Sequence, residues 1–145
     1  MTVVYLDSSI LVSIALGDPR GVQAVAIVGP RDAYSSDIAP VECQSGLSFQ
    51  YAASPGGLPA AEQSLNAVLA RIQMIQMTTP VLIQARTLVR RHRVGIGLRT
   101  LDALHVAACA EVQAQLGSGT VEYITADRRQ HTAFMAEGFA GSLLT

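Results

Sequence analysis

The chain has 145 residues, half of them hydrophobic, with 11 acidic and ten basic groups and a formal net charge of −1. That is one domain of ordinary size with enough apolar content for a real core, and its charge argues against coating nucleic acid by bulk attraction; any such ligand would need a local patch. All ten basic residues are arginine, which excludes a P-loop lysine, a Schiff-base lysine and a lysine general base together.

Val3 to Leu6 reads as a short buried strand ending at Asp7-Ser8-Ser9. Either serine can cap a helix through Ile10, Leu11, Ile14 and Ala15, which Gly17-Asp18-Pro19 then stops. A short helix from about Gly21 to Val28 follows, then a strand at Ala33–Ser36 and a helix from Ile38 to about Tyr51 with Pro40 near its first turn. Ser54-Pro55-Gly56-Gly57 is an exposed loop. Beyond it Leu58, Ala61, Leu65, Val68 and Ile72 recur at helical spacing, a stripe expected to serve core or dimer packing.

Met74 to Met77 is the third strand candidate, and Pro80 opens a helix with Val81, Ala85, Leu88 and Val89 inward. Arg86, Arg90, Arg91 and Arg93 gather towards its carboxyl end, where the helix dipole favours cations; they are also the best candidate RNA patch. After Gly95 and Gly97, the segment Leu101 to Val112 is apolar on nearly every face, the mark of a central buried helix. Val121 to Ala126 is the clearest strand, Asp127 to Glu137 the last helix, and Ser142 to Leu144 an edge strand. Helices alternating with short strands predict an α/β fold, a single domain over residues 1–145 with a mainly parallel central sheet flanked by helices.

Four acids occupy equivalent places in this pattern. Asp7 and Asp127 directly follow strands, while Glu42 and Asp102 lie in the first turns of apolar helices. In a parallel α/β sheet those places share one edge, so the four should converge although they are distant in sequence. Each taken alone could be a helix cap that complements the dipole. Together they would repel, and a divalent cation is the usual compensation. Two hard ions can activate water against a phosphodiester without any help from His, Cys or Lys. No Ser-His-Asp order and no zinc spacing stands out among the three histidines.

Val4-Tyr5-Leu6-Asp7-Ser8-Ser9, Glu42, Leu101-Asp102-Ala103-Leu104-His105-Val106-Ala107-Ala108 and Ile124-Thr125-Ala126-Asp127-Arg128, in that order, resemble the PIN-domain family. Their spacing is most similar to the VapC-type ribonuclease toxins of prokaryotic toxin–antitoxin pairs. The similarity runs from Val3 to about Gly138, with no matching motif between Ser54 and Gly97. It implies a PIN-like α/β/α sandwich and a Mg²⁺ or Mn²⁺ site held by Asp7, Glu42, Asp102 and Asp127 as catalytic and metal-binding residues, with Ser8 and Thr125 as hydroxyls beside it. It further implies endonucleolytic RNA cleavage, a homodimer or higher toxin–antitoxin assembly, and an antitoxin that blocks the site. A housekeeping RNA-processing nuclease and a non-catalytic binding module of the same build are the alternatives. A phospho-accepting signalling domain would also cluster acids, but it needs the lysine this chain lacks.

Arg128, with Arg129, could steady a phosphate beside the metal or simply be solvated, and Arg99 is similar. His105 is expected to be a core histidine satisfied by a backbone carbonyl. Cys43 and Cys109 read as structural thiols of a reducing compartment. The amino terminus has no basic run and Asp7 interrupts its apolar stretch, while no apolar run approaches the ~20 residues of a membrane span. A cytoplasmic protein is the expectation.

Overall fold

The computed structural model describes residues 1–145. Strand β1 (Thr2–Leu6) shows why the fold has two cores. Its side chains alternate, so Val3 and Tyr5 enter one apolar cluster and Val4 and Leu6 the other, all four at most 1% exposed. A strand buried on both faces reads as a continuous apolar run, as Val3 to Leu6 does.

Strands β2 (Ala33–Ser36), β3 (Gln73–Ile75), β4 (Thr120–Thr125) and β5 (Ala140–Leu143) complete one sheet in the order β3-β2-β1-β4-β5. Every neighbouring pair is parallel. Against one face pack α1 (Ser8–Leu16), α2 (Pro19–Val28), α3 (Ala39–Gln50) and α4 (Leu58–Leu69). Against the other pack α5 (Thr79–His92), α6 (Thr100–Leu116) and α7 (Arg128–Ala136). The α/β fold with a parallel sheet between helices stands as expected.

Helix α6 buries Ala103, His105, Val106, Ala107, Ala108, Cys109 and Val112, in keeping with its apolar circumference. It runs past Val112 to Leu116 because glutamine is no helix breaker, and Gly117, at φ 63°, ends it. The third strand lies slightly earlier than Met74–Met77. Its register is set by β2, with Tyr34 opposite Gln73 and Ser36 opposite Ile75. Met77 leaves the ladder because its N–H donates to the Asp37 carboxylate at 3.3 Å. In the stripe from Leu58 to Ile72, Ala61 and Leu65 are buried in the core beside α1 and α3.

The Gly17-Asp18-Pro19 breaker also starts α2. Asp18 caps that helix by accepting from the Gly21 N–H at 2.8 Å, and Pro19 takes the first turn, where its missing donor costs nothing. Gly21 is where α1 and α2 touch, since a Cβ there would overlap the Ser13 carbonyl. Gly21→Ala is therefore expected to destabilise the fold by ~1–3 kcal/mol through overpacking. Chemical denaturation measures this, and an unchanged midpoint would show that α2 can shift away without cost.

Candidate active site

The chain leaves β1 and enters α1 through Asp7, beside the equivalent exit of β4, where Leu6 lies opposite Ile124. Asp7 is the N-cap of α1 and is only 2% exposed. Its Oδ1 accepts from the Ile10 N–H at 3.1 Å and the Ser9 hydroxyl at 2.7 Å, and its Oδ2 accepts from the Thr125 hydroxyl at 2.5 Å. Thr125 is fully buried, and its Oγ1 also accepts from the Asp127 N–H at 3.0 Å. One threonine thus ties the ends of both central strands together.

Asp127 is the N-cap of α7, its Oδ1 accepting from the N–H groups of Arg129 and Gln130 at 2.8 and 3.1 Å. Asp102 sits in the first turn of α6, where its Oδ2 accepts from the Arg99 N–H at 3.3 Å. Glu42 differs from these three. It lies in the first turn of α3 but caps nothing, and its Oε1 lies 2.6 Å from Nε2 of His105. Capping and convergence are thus not alternatives: three acids cap helices, and all four line one cleft of about 390 Å³. Ser8, Ser9, Arg99, Thr100, His105 and Gln130 share its wall, and Leu101 is its single hydrophobic residue.

Burial raises the pKa of Asp7 above its ordinary value, although His105 and the hydrogen bonds from Thr125, Ser9 and Ile10 oppose the rise. Asp102 is raised as well, first by burial and then by the charge of Asp127, which places those two carboxylates within electrostatic reach of each other. No three acid, imidazole or thiol groups are gathered tightly enough to hold a cation as they stand. The donor chemistry nevertheless suits a hard ion. Glu42 Oε2, Asp102 Oδ1 and Asp127 Oδ2 make no hydrogen bond within the protein, and Asp102 bears the like charge of Asp127.

The structure redistributes several supporting roles. Ser8 borders the cleft, but Ser9 is the serine that bonds Asp7. His105 is not satisfied by a backbone carbonyl. Its two ring nitrogens meet the side chains of Tyr5, at 2.7 Å, and Glu42. The clue was its position three residues after Asp102, on the same helical face. Gln130, three residues after Asp127, is 3% exposed, and its Nε2 is a buried side-chain atom without a partner.

Of the arginines, Arg99 lines the cleft. Arg128 is exposed and does not line it, whereas the charge of Arg129 reaches Asp102 and lowers its pKa. Arg91 is committed to Glu137 at 2.6 and 2.8 Å, an acid that also meets His92 at 2.8 Å. Arg93 reaches the Gly97 carbonyl at 3.4 Å. Arg86 and Arg90 are exposed beside an apolar cleft between α5 and α6. Both cysteines are buried, and burial pushes the Cys43 thiol up to about 12 and the Cys109 thiol higher still, so both remain inert.

Comparison with known proteins identifies the family and the fold. The PIN domain family model matches residues 4–133. No functionally curated protein matches the chain significantly. Among solved structures, VapBC2 from Rickettsia felis bound to a DNA fragment from its promoter superposes with a TM-score of 0.66 at 16% identity, covering 100% of both chains. PAE2754 from Pyrobaculum aerophilum gives 0.60 at 20% identity over 97% of this chain and 92% of its own. The sarcin-ricin loop cleaving toxin VapC20 of Mycobacterium tuberculosis gives 0.61 at 17% identity over 94% and 96%. No helix in the chain is by itself long and apolar enough to cross a membrane.

Proposed function

The chain belongs to the PIN-domain family, and on that premise we propose that it is an endoribonuclease dependent on Mg²⁺ or Mn²⁺, acting as the toxin of a toxin–antitoxin pair. The observation that carries this reading is the cleft itself, where Asp7, Glu42, Asp102 and Asp127 meet with one apolar residue among them. These four are the residues that would hold the cation. When bound, such an ion supplies an activated water and charge stabilisation at the leaving oxygen of a phosphodiester.

The chain's own groups prepare the site. Thr125 and Ser9 fix the orientation of Asp7 from two sides. Arg99, on the wall of the cleft, offers a guanidinium to a phosphate of the RNA, and Arg129 brings a second positive charge beside Asp102. Arg86, Arg90 and Arg93 extend cationic surface along α5 and beyond it for more distant phosphates.

The toxin assignment is supported by the neighbours, among them the VapBC2 complex and a sarcin-ricin loop cleaving toxin. An antitoxin is the partner this implies. Leu82, Ile83 and Leu101, about half exposed on α5 and the start of α6, offer apolar surface for pairing with a second copy.

Purified protein should cut a susceptible RNA with Mg²⁺ or Mn²⁺, lose cleavage in EDTA, and regain it when the ion is returned. Its expression alone should arrest growth, whereas Asp102→Asn at matched protein levels should not. Cleavage that persists in EDTA would overturn the metal assignment, and equal growth with both proteins the toxin assignment.

A further inference from the structure

Glu42 is the one acid of the four that no backbone N–H holds. A glutamate side chain has three rotatable bonds, and without a partner it would have to be ordered each time a ligand arrived. Its restraint is His105, which is 2% exposed on the buried helix α6 and lies 2.6 Å from Oε1. The other imidazole nitrogen, Nδ1, lies 2.7 Å from the hydroxyl of Tyr5, a fully buried residue of the central strand β1.

We infer that Tyr5 and His105 form a fixed relay that aims the Glu42 carboxylate into the cleft, making both of them positioning residues of the site. The inference rests on the function proposed above. Counting donors fixes the Glu42 end. A carboxylate oxygen only accepts, so Nε2 must carry the hydrogen at that contact. In the neutral ring of the proposed relay Nδ1 accepts, and the Tyr5 hydroxyl supplies the donor. Both imidazole nitrogens are then satisfied, and Glu42 Oε2 remains free to face a ligand.

A relay of this kind differs from core filling in what it controls. The ring stands edge-on to Tyr5, with centroids 5.9 Å apart and planes at 70°, so its plane is set by packing as well as by hydrogen bonds. The two anchors sit on a strand and a helix, while the group they hold sits on α3 across the cleft. Partners of this type orient a ligating carboxylate, and losing one typically costs about 10–100-fold in metal affinity or activity.

The test separates the relay from the nuclease reading. In the double variant Tyr5→Phe/His105→Leu the two buried members become apolar together, and the Glu42 carboxylate, partly exposed at the cleft, can turn to water instead, which should keep the melting temperature close to wild type. Its affinity for Mn²⁺ by calorimetry should fall about 10–100-fold, while His105→Gln, which can place an amide N–H near the former Nε2, should recover part of the loss. Nitrogen-15 NMR of the imidazole supplies a readout that needs neither metal nor RNA. The His105 Nε2 should carry the hydrogen, and its resonance should move in Glu42→Gln. Wild-type Mn²⁺ affinity in the folded double variant, a hydrogen on Nδ1 alone, or a resonance indifferent to Glu42→Gln would each overturn the relay. Failure of RNA cleavage with the NMR signature intact would overturn the nuclease reading instead.

Discussion

Asp7→Asn is expected to lose RNA cleavage by more than about 100-fold, the upper end of what removing an outer partner of a metal site costs, while its metal-free fold melts at or above wild type. The two effects have one cause. Asp7 is 2% exposed, and burial raises its pKa above the ordinary value of 3.8. An acid raised in this way is more protonated in the native than in the unfolded state, so stability falls as pH climbs from the unfolded pKa through the folded one. Wild type should therefore lose stability relative to Asp7→Asn over that window, with the difference levelling off above it. Asparagine keeps the bonds from Ser9 and Ile10 through its carbonyl oxygen, and it caps helices as well as aspartate does. The Thr125 hydroxyl must turn from donor to acceptor, at the expense of one hydrogen bond worth about 1 kcal/mol. Adding Mg²⁺ should then raise the melting temperature of wild type and leave the variant unmoved, because only the complete acid set binds the ion well. Melting curves across pH in EDTA, repeated with Mg²⁺, measure all of this. Destabilisation of the variant at every pH, together with an equal response to Mg²⁺, would reduce Asp7 to a helix cap.

The largest stability effect should come from Phe134→Ala. Phe134 is fully buried where α7 meets the sheet, stacked on Tyr123 at 4.3 Å between centroids and 8° between planes, with Tyr5 at 6.2 Å and Phe139 edge-on at 6.1 Å. Truncating such a residue costs ~3–5 kcal/mol in transfer and cavity terms, and the aromatic contacts add to its burial. At this chain length that corresponds to a fall of roughly 10–15 °C in Tm. Phe134→Leu should recover part of the loss. A fall of only a few degrees would mean that α7 collapses into the cavity, and with it the seat of Asp127 would move.

How much could be read from the chain follows from the range of each interaction. Val3 to Leu6 and Val121 to Thr125 announced themselves as strands because both faces are buried, and the acid one or two residues beyond each marked the same sheet edge. Helix α6 was equally plain from its apolar circumference. The end of β3 was not, because its register belongs to β2 and its exit to Asp37, 40 residues away. The partners of His105 were hidden for the same reason: Tyr5 lies 100 residues before it and Glu42 63. Arg91 reads in the sequence as available for RNA, but Glu137, 46 residues on, holds it. The choice of Ser9 over Ser8 depended on which serine of the first helical turn faces back towards the cap, a matter of local geometry that composition does not encode.

The sheet's margins carry a further consequence. β3 has three residues and β5 four, and β5 is pressed so closely on its neighbour that a Cβ at Gly141 would overlap the Tyr123 carbonyl. Such stubs offer almost no free ladder of N–H and C=O groups for a foreign chain to extend. Short edges of this kind disfavour recruitment by strand addition, the route by which open sheets capture peptides or stack into fibrils. Binding then falls to side chains on the helices and at their ends, where specificity can drift from residue to residue while the sheet that gathers the four acids stays as it is.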